Sequence, residues 1–266
     1  MSVRGPDSAG SGDRRIRPKA GTEVPLAHAI GREIIRAGLA DHAFIERATT
    51  GFEEYQQLVE PWTLSLAEKV TGVSAVVIRE LAHGHTPGDQ GRPRTPFVVE
   101  HHHGTDAGRA LSNLALLTGT TTERDLRAAF RLVSYDPPVD LTDERYPIRL
   151  TTGRRLDSHK TVVQKNGSAS PLRRGTCIEL SPEDAERYGV VVGEEVRVST
   201  RRGSVTAPVW VDPTLRAGLA FTTMRLSDAA DLNAPPVKAS CPIPGTAEFE
   251  AAAVRIEKLP VAAVRS

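Results

Sequence analysis

The chain is short of four things, and each shortage narrows what it can be. It has two cysteines in 266 residues, Cys177 and Cys241, far apart and in no CxxC pair. That excludes a disulfide framework and gives no recognisable metal cluster. Its formal net charge is only +1, so no global field favours nucleic acid or an anionic membrane. It has no apolar run approaching the ~18 residues of a membrane-spanning helix, so membrane insertion is not expected. Its N-terminus has no apolar signal core, which makes a cytoplasmic location the default expectation. What is present is ordinary for a soluble globular protein, at 39% hydrophobic and 25% charged residues.

The organisation changes along the chain. Residues 1–20 are rich in Gly, Ser, Pro and Arg and read as a disordered leader. Residues 21–85 read as helices. From Pro25, the positions Leu26, Ala29, Ile30, Ile34 and Ile35 recur at helical spacing. Asp41 is a candidate N-cap for a short helix through Phe44 and Ile45, and Ser74 for one containing Val76, Val77, Ile78 and Leu81. Helices are also expected over Phe52–Val59 and Trp62–Val70. Pro96–Glu100 suggests a buried strand. A polar loop through Asp106 and a helix from about Ala107 to Leu117 follow, with Thr118-Gly119 as a C-cap signal. A further helix is expected over Glu123–Val133, then a linker over 137–145.

Beyond the linker the pattern turns to β. Strands are expected at Ile148–Leu150, Thr176–Leu180, Glu195–Thr200, Ser204–Val211, Gly218–Thr222 and Ala252–Ile256. One helix interrupts them, opened by Ser181-Pro182-Glu183-Asp184 and closed at Gly189. Short strands with regular turns and a single helix predict a small barrel.

Within this β region, Tyr146–Ser158 reads YPIRLTTGRRLDS. An apolar strand runs into a small polar turn, Thr151-Thr152-Gly153, followed by Arg154 and Arg155. Main-chain N–H donors, hydroxyls, a glycine and guanidinium groups suit a phosphate or pyrophosphate. Turns of this composition are also common as solvated surface turns. Adjacent histidines, His101–His103, point to alternating faces of an extended chain and so disfavour a shared zinc ion.

Three patches carry a family likeness. They are GTEVPLAHAIGREIIRAGLADHAFIERATTGFEEY, EHHHGTDAGRALSNLALLTG, and YPIRLTTGRRLDSHKT followed by ELSPEDAERYGVVVGEEVRVSTRRGSVTAPVWV and GTAEFEAAAVRIEKL. In this order they resemble the large subunit of molybdopterin oxidoreductases, formate dehydrogenase branch. The resemblance implies a mixed α+β chain, with a truncated α/β middle domain over 21–136 and a double-psi β-barrel, the dinucleotide-binding domain, over 146–266. It implies binding of molybdopterin guanine dinucleotide, with molybdenum or tungsten. It assigns cofactor contacts to Thr151, Thr152, Gly153, Arg154, Arg155 and Ser158. Glu100, His103, Gly104, Thr105 and Asp106 would approach from the middle domain, and Asn233 and Phe249 from late loops. The family's cysteine-rich cluster motif and its metal-ligating cysteine or selenocysteine match nothing here. The expectation is therefore no iron–sulfur cluster, no protein-ligated metal and no catalytic residue on this chain, with another polypeptide supplying the redox domains. The alternative is a non-catalytic scaffold or cofactor carrier, or a degenerate remnant.

Overall fold

The computed structural model describes residues 16, 18–84, 104–119, 127–153, 177–201, 203–223 and 252–259. The chain divides into two compact units, changing over between Pro137 and Pro138.

The first unit is built on α1, Glu23–Arg36. Its N-terminal half is buried on every side, from Val24 through Gly31. A helix enclosed all round is the centre of its unit. Short helices surround it: α2 (His42–Ala48), α3 (Phe52–Val59), α4 (Leu64–Thr71) and α5 (Ala75–His83). Each start has a local cause. Asp41 accepts from the Phe44 amide at 2.9 Å, and Thr63 from Leu66 at 3.2 Å. Ser74 accepts from Val77 at 3.4 Å. These side chains satisfy main-chain donors that helix ends leave unpaired. Thr63 also explains why α4 begins after Trp62, which joins the neighbouring packing instead. Leu26, Ile30, Ile34, Tyr55, Ile78, Leu114 and Leu117 form the centre of the core.

Helix α6 runs Gly104–Leu117. Gly104, Thr105 and Asp106 were expected in a loop; they form the first turn of this helix. The strand expected at 96–100 lies outside the described residues. The helix expected over Glu123–Val133 is not formed over its described part, 127–133. There the chain is extended. Ala128–Ala129 (β2) pairs in parallel with Thr49–Thr50 (β1), and the Phe130 amide donates to the Thr50 carbonyl at 2.9 Å. Asn113, fully buried in α6, holds both main-chain groups of Arg131: Nδ2 donates to its carbonyl at 2.8 Å and Oδ1 accepts from its amide at 2.9 Å. Phe130 stacks on Tyr55 with ring centroids 4.9 Å apart. These tertiary partners outweigh a weak local helix preference.

The second unit is a closed barrel of six strands. They are β3 (Ile148–Gly153), β4 (Ile178–Leu180), β5 (Glu195–Ser199), β6 (Ser204–Val211), β7 (Leu219–Thr223) and β8 (Ala252–Lys258). Their order round the barrel is β3-β7-β4-β6-β5-β8. The β3–β7 and β4–β6 pairs are parallel and the other four antiparallel. Closure leaves no open edge. Ile148, Leu150, Ile178, Leu180, Val196, Val198, Val209, Ala220, Val254 and Ile256 fill the interior.

Helix α7 (Pro182–Tyr188) follows β4. Ser181 Oγ accepts from the Asp184 amide at 3.0 Å, and its hydroxyl donates to Asp184 Oδ2 at 2.9 Å. The same buried carboxylate oxygen accepts from the Gly218 amide at 2.7 Å. Gly218 has φ +79°, a left-handed turn suited to glycine, and its carbonyl accepts from the Arg149 amide at 2.9 Å. The helix start thereby fixes the turn that launches β7 beside β3.

The segment read as a linker, 137–145, belongs to the barrel unit from Pro138 onward. Asp140 is buried there. Its carboxylate accepts from the Ala253 amide at 2.8 Å and from Arg201. Its carbonyl accepts from Arg149. Arg201 also reaches Asp143 at 2.7 Å and lies over the Tyr146 ring at 4.8 Å. The Tyr146 amide, together with Arg201, holds the Asp143 carboxyl below its ordinary value.

Candidate functional site at the end of β3

The barrel's pairing directions gather the candidate residues at one end. Strands β3 and β7 run side by side in parallel, so their carboxyl ends coincide. Thr152 is opposite Thr222, and Gly153 opposite Thr223. Strand β4 is antiparallel to β7, with Ile178 opposite Thr222, so β4 begins where β7 ends. In sequence, residues 154–176 join β3 to β4, and 224–251 join β7 to β8. Both connections thus start from this end. The carboxyl ends of parallel strands are where α/β sheets place ligands.

Thr151, Thr152 and Gly153 were expected as a turn. They are the last three residues of β3, held in register against Phe221, Thr222 and Thr223. The parallel partner, invisible to local turn preference, carries the strand past Leu150. The side chains are also differently disposed from a solvated turn. Strand alternation sets Thr152 on the face of Ile148 and Leu150, toward the barrel interior, and Thr151 on the outer face. Both are nearly closed to solvent, at 2% and 5% exposure for Thr151 and Thr152. Thr151 and Thr152 are therefore packed within the β3–β7 ladder.

Thr222 was not singled out from sequence. It is buried, and its Oγ1 donates to the Cys177 carbonyl at 3.0 Å. This bond extends the β4–β7 pairing by one step at the mouth. Cys177 is buried beside it. A second feature escaped notice too. Thr151, Phe221 and Glu179 are register partners across β3, β7 and β4. They alternate with interior residues and so face outward, yet Phe221 is 5% and Glu179 1% exposed. The sequence signal was Glu179 within the run CIEL, a carboxylate inside an apolar strand.

In the helical unit, Gly104 is buried at the start of α6, while Thr105 and Asp106 are partly exposed. Asp106 pairs with Arg109 at 3.0 Å, a single helical turn away. The remaining candidates, Arg154, Arg155, Ser158, Glu100, His103, Asn233 and Phe249, lie outside the described residues. No group of three or more potential metal-ligating side chains occurs among the described residues. No described helix is long and apolar enough to cross a membrane.

The donor set at the strand ends fits a phosphate-bearing ligand in kind. Small residues and main-chain amides terminate two parallel strands, and Gly153 brings no Cβ to obstruct an approaching anion.

Comparison with known proteins agrees with this arrangement. The molydopterin dinucleotide binding domain family matches residues 148–253, which spans the barrel from the start of β3 into β8. F420-dependent formate dehydrogenase 1 subunit alpha of Methanococcus maripaludis is 32% identical over 132 residues, 48% of this chain and 19% of that protein. Formate dehydrogenase H of Escherichia coli is 36% identical over 114 residues, 42% of this chain and 16% of that protein. The chain thus spans about a fifth of the length of the curated relatives it matches. Among solved structures, acetylene hydratase from Pelobacter acetylenicus superposes with a TM-score of 0.60 at 11% identity, covering 84% of this chain and 66% of that one. That likeness concerns the fold alone. Residues 148–253, the stretch that forms the barrel, match the molydopterin dinucleotide binding domain family, and the two curated relatives named above are formate dehydrogenase chains.

Proposed function

We propose that the chain binds the guanine dinucleotide portion of a molybdenum or tungsten cofactor and works as part of a formate-dehydrogenase-like oxidoreductase. The observation that carries this reading is the strand end Thr152-Gly153 beside Thr222-Thr223, inside the stretch matched to the dinucleotide-binding family. The TTG sequence runs directly into Arg154 and Arg155. A guanidinium there gives a phosphate a charge-assisted partner. When bound, the cofactor's metal centre supplies two-electron transfer; the polypeptide supplies binding and orientation. Two cysteines in the whole sequence, one of them buried in the barrel, support the further proposal that another polypeptide brings the redox domains.

The test is to purify the chain from cells making the cofactor, then measure molybdenum, tungsten and acid-released guanine nucleotide. Stoichiometric guanine nucleotide is expected, without formate-dependent dye reduction by the chain alone. Arg154→Ala should lower nucleotide occupancy through loss of a contact of about 1.5–3 kcal/mol, roughly 10- to 150-fold in affinity. Full occupancy in a folded Arg154→Ala protein would remove Arg154 from the site. A well-folded wild-type chain carrying no nucleotide would remove the reading itself, and robust turnover would remove the need for a second polypeptide.

A further inference from the structure

We draw no further inference here: the strongest candidate, the outward-facing row Thr151–Phe221–Glu179 across β3, β7 and β4, buries a carboxylate beside an aromatic ring outside the barrel core, but nothing among the described residues shows what covers it.

Discussion

Gly31 and Tyr55 make a pair whose energetics can be worked from the structure. Gly31 sits inside α1, where glycine ordinarily costs about 1 kcal/mol relative to alanine. Its absence of a side chain has a local reason. A Cβ at Gly31 would stand 2.2 Å from the Tyr55 hydroxyl oxygen, 3.3 Å from Tyr55 Cζ and 3.5 Å from Leu114 Cδ2. The tyrosine cannot easily retreat, because it is fully buried and stacked on Phe130. Gly31→Ala should therefore incur an overpacking penalty near the upper part of the usual ~1–3 kcal/mol range. After the gain in helix propensity, a net loss of about 2 kcal/mol is expected. Tyr55→Phe behaves oppositely. Among the described residues the buried hydroxyl has no hydrogen-bond partner, and such a group carries a desolvation penalty of about 1–3 kcal/mol. Removing it should leave stability unchanged or raise it. The double variant then loses the 2.2 Å clash, keeps the helix gain, and should be at least as stable as the wild type. The coupling should be about 2 kcal/mol or more. Urea titration in a Trp210→Phe background reads this cleanly, since Trp62 then reports on the helical unit alone. If Gly31→Ala proves neutral, or Tyr55→Phe fails to rescue it, the packing at α1 is not as described.

His28 is fully buried, neither ring nitrogen is hydrogen-bonded among the described residues, and burial lowers its pKa to about 4. The unfolded chain binds this proton below pH ~6.5 while the folded chain resists it, so the helical unit should lose about 3 kcal/mol as pH falls from ~6.5 to ~4. His28→Leu should flatten that dependence in melting curves taken across the window; an unchanged slope would reject the assignment. Asp140→Ala removes the acceptor shared by Arg201 and the Ala253 amide, and should destabilise the barrel by about 2–4 kcal/mol, with Asp140→Asn costing less. Thermal melting followed by Trp210 fluorescence measures both, and a silent Asp140→Ala would mean the 138–146 segment is held elsewhere. Asn113→Ala frees the amide and carbonyl of Arg131 and should cost the helical unit about 2 kcal/mol. Amide hydrogen exchange at Arg131 should rise with it; continued protection there would contradict the clamp.

Features set by short-range chemistry could be read from the sequence. Asp41, Ser74 and Ser181 cap helices because their side chains reach an amide three residues on. Strand β6 occupies Ser204–Val211 as alternation and the flanking glycine required. What escaped depends on distant partners. Nothing within Glu123–Val133 announces that Asn113 will hold Arg131, or that Thr50 will accept from Phe130. Nothing around Thr151 announces β7, which turns an expected loop into strand. The strand that carries the candidate site was thus legible along the chain, while the orientation and burial of its threonines were set by a neighbour some 70 residues later, Phe221–Thr223. The anchors of Asp140 in the 137–145 stretch, Arg201 and the Ala253 amide, are likewise distant in sequence.

The barrel's strand order also bears on how the chain acquires its shape. Strand β3 pairs only with β7 and β8, and Ile148 finds its partner at Val254. During synthesis β3 is the first barrel strand to emerge, and like β5 it gains its second neighbour only with β8. Strands β5 and β6 can meet at once through a short hairpin, but β3 must wait for nearly the whole barrel to be made. Such long-range pairing slows folding and leaves unpaired strand edges exposed meanwhile. Translation stalled before Ala252 would leave β3 and β5 each without a neighbour they have in the closed barrel. The barrel that carries the strand end read as the ligand wall closes only when β8 arrives, so closure is a late event in the life of the nascent chain.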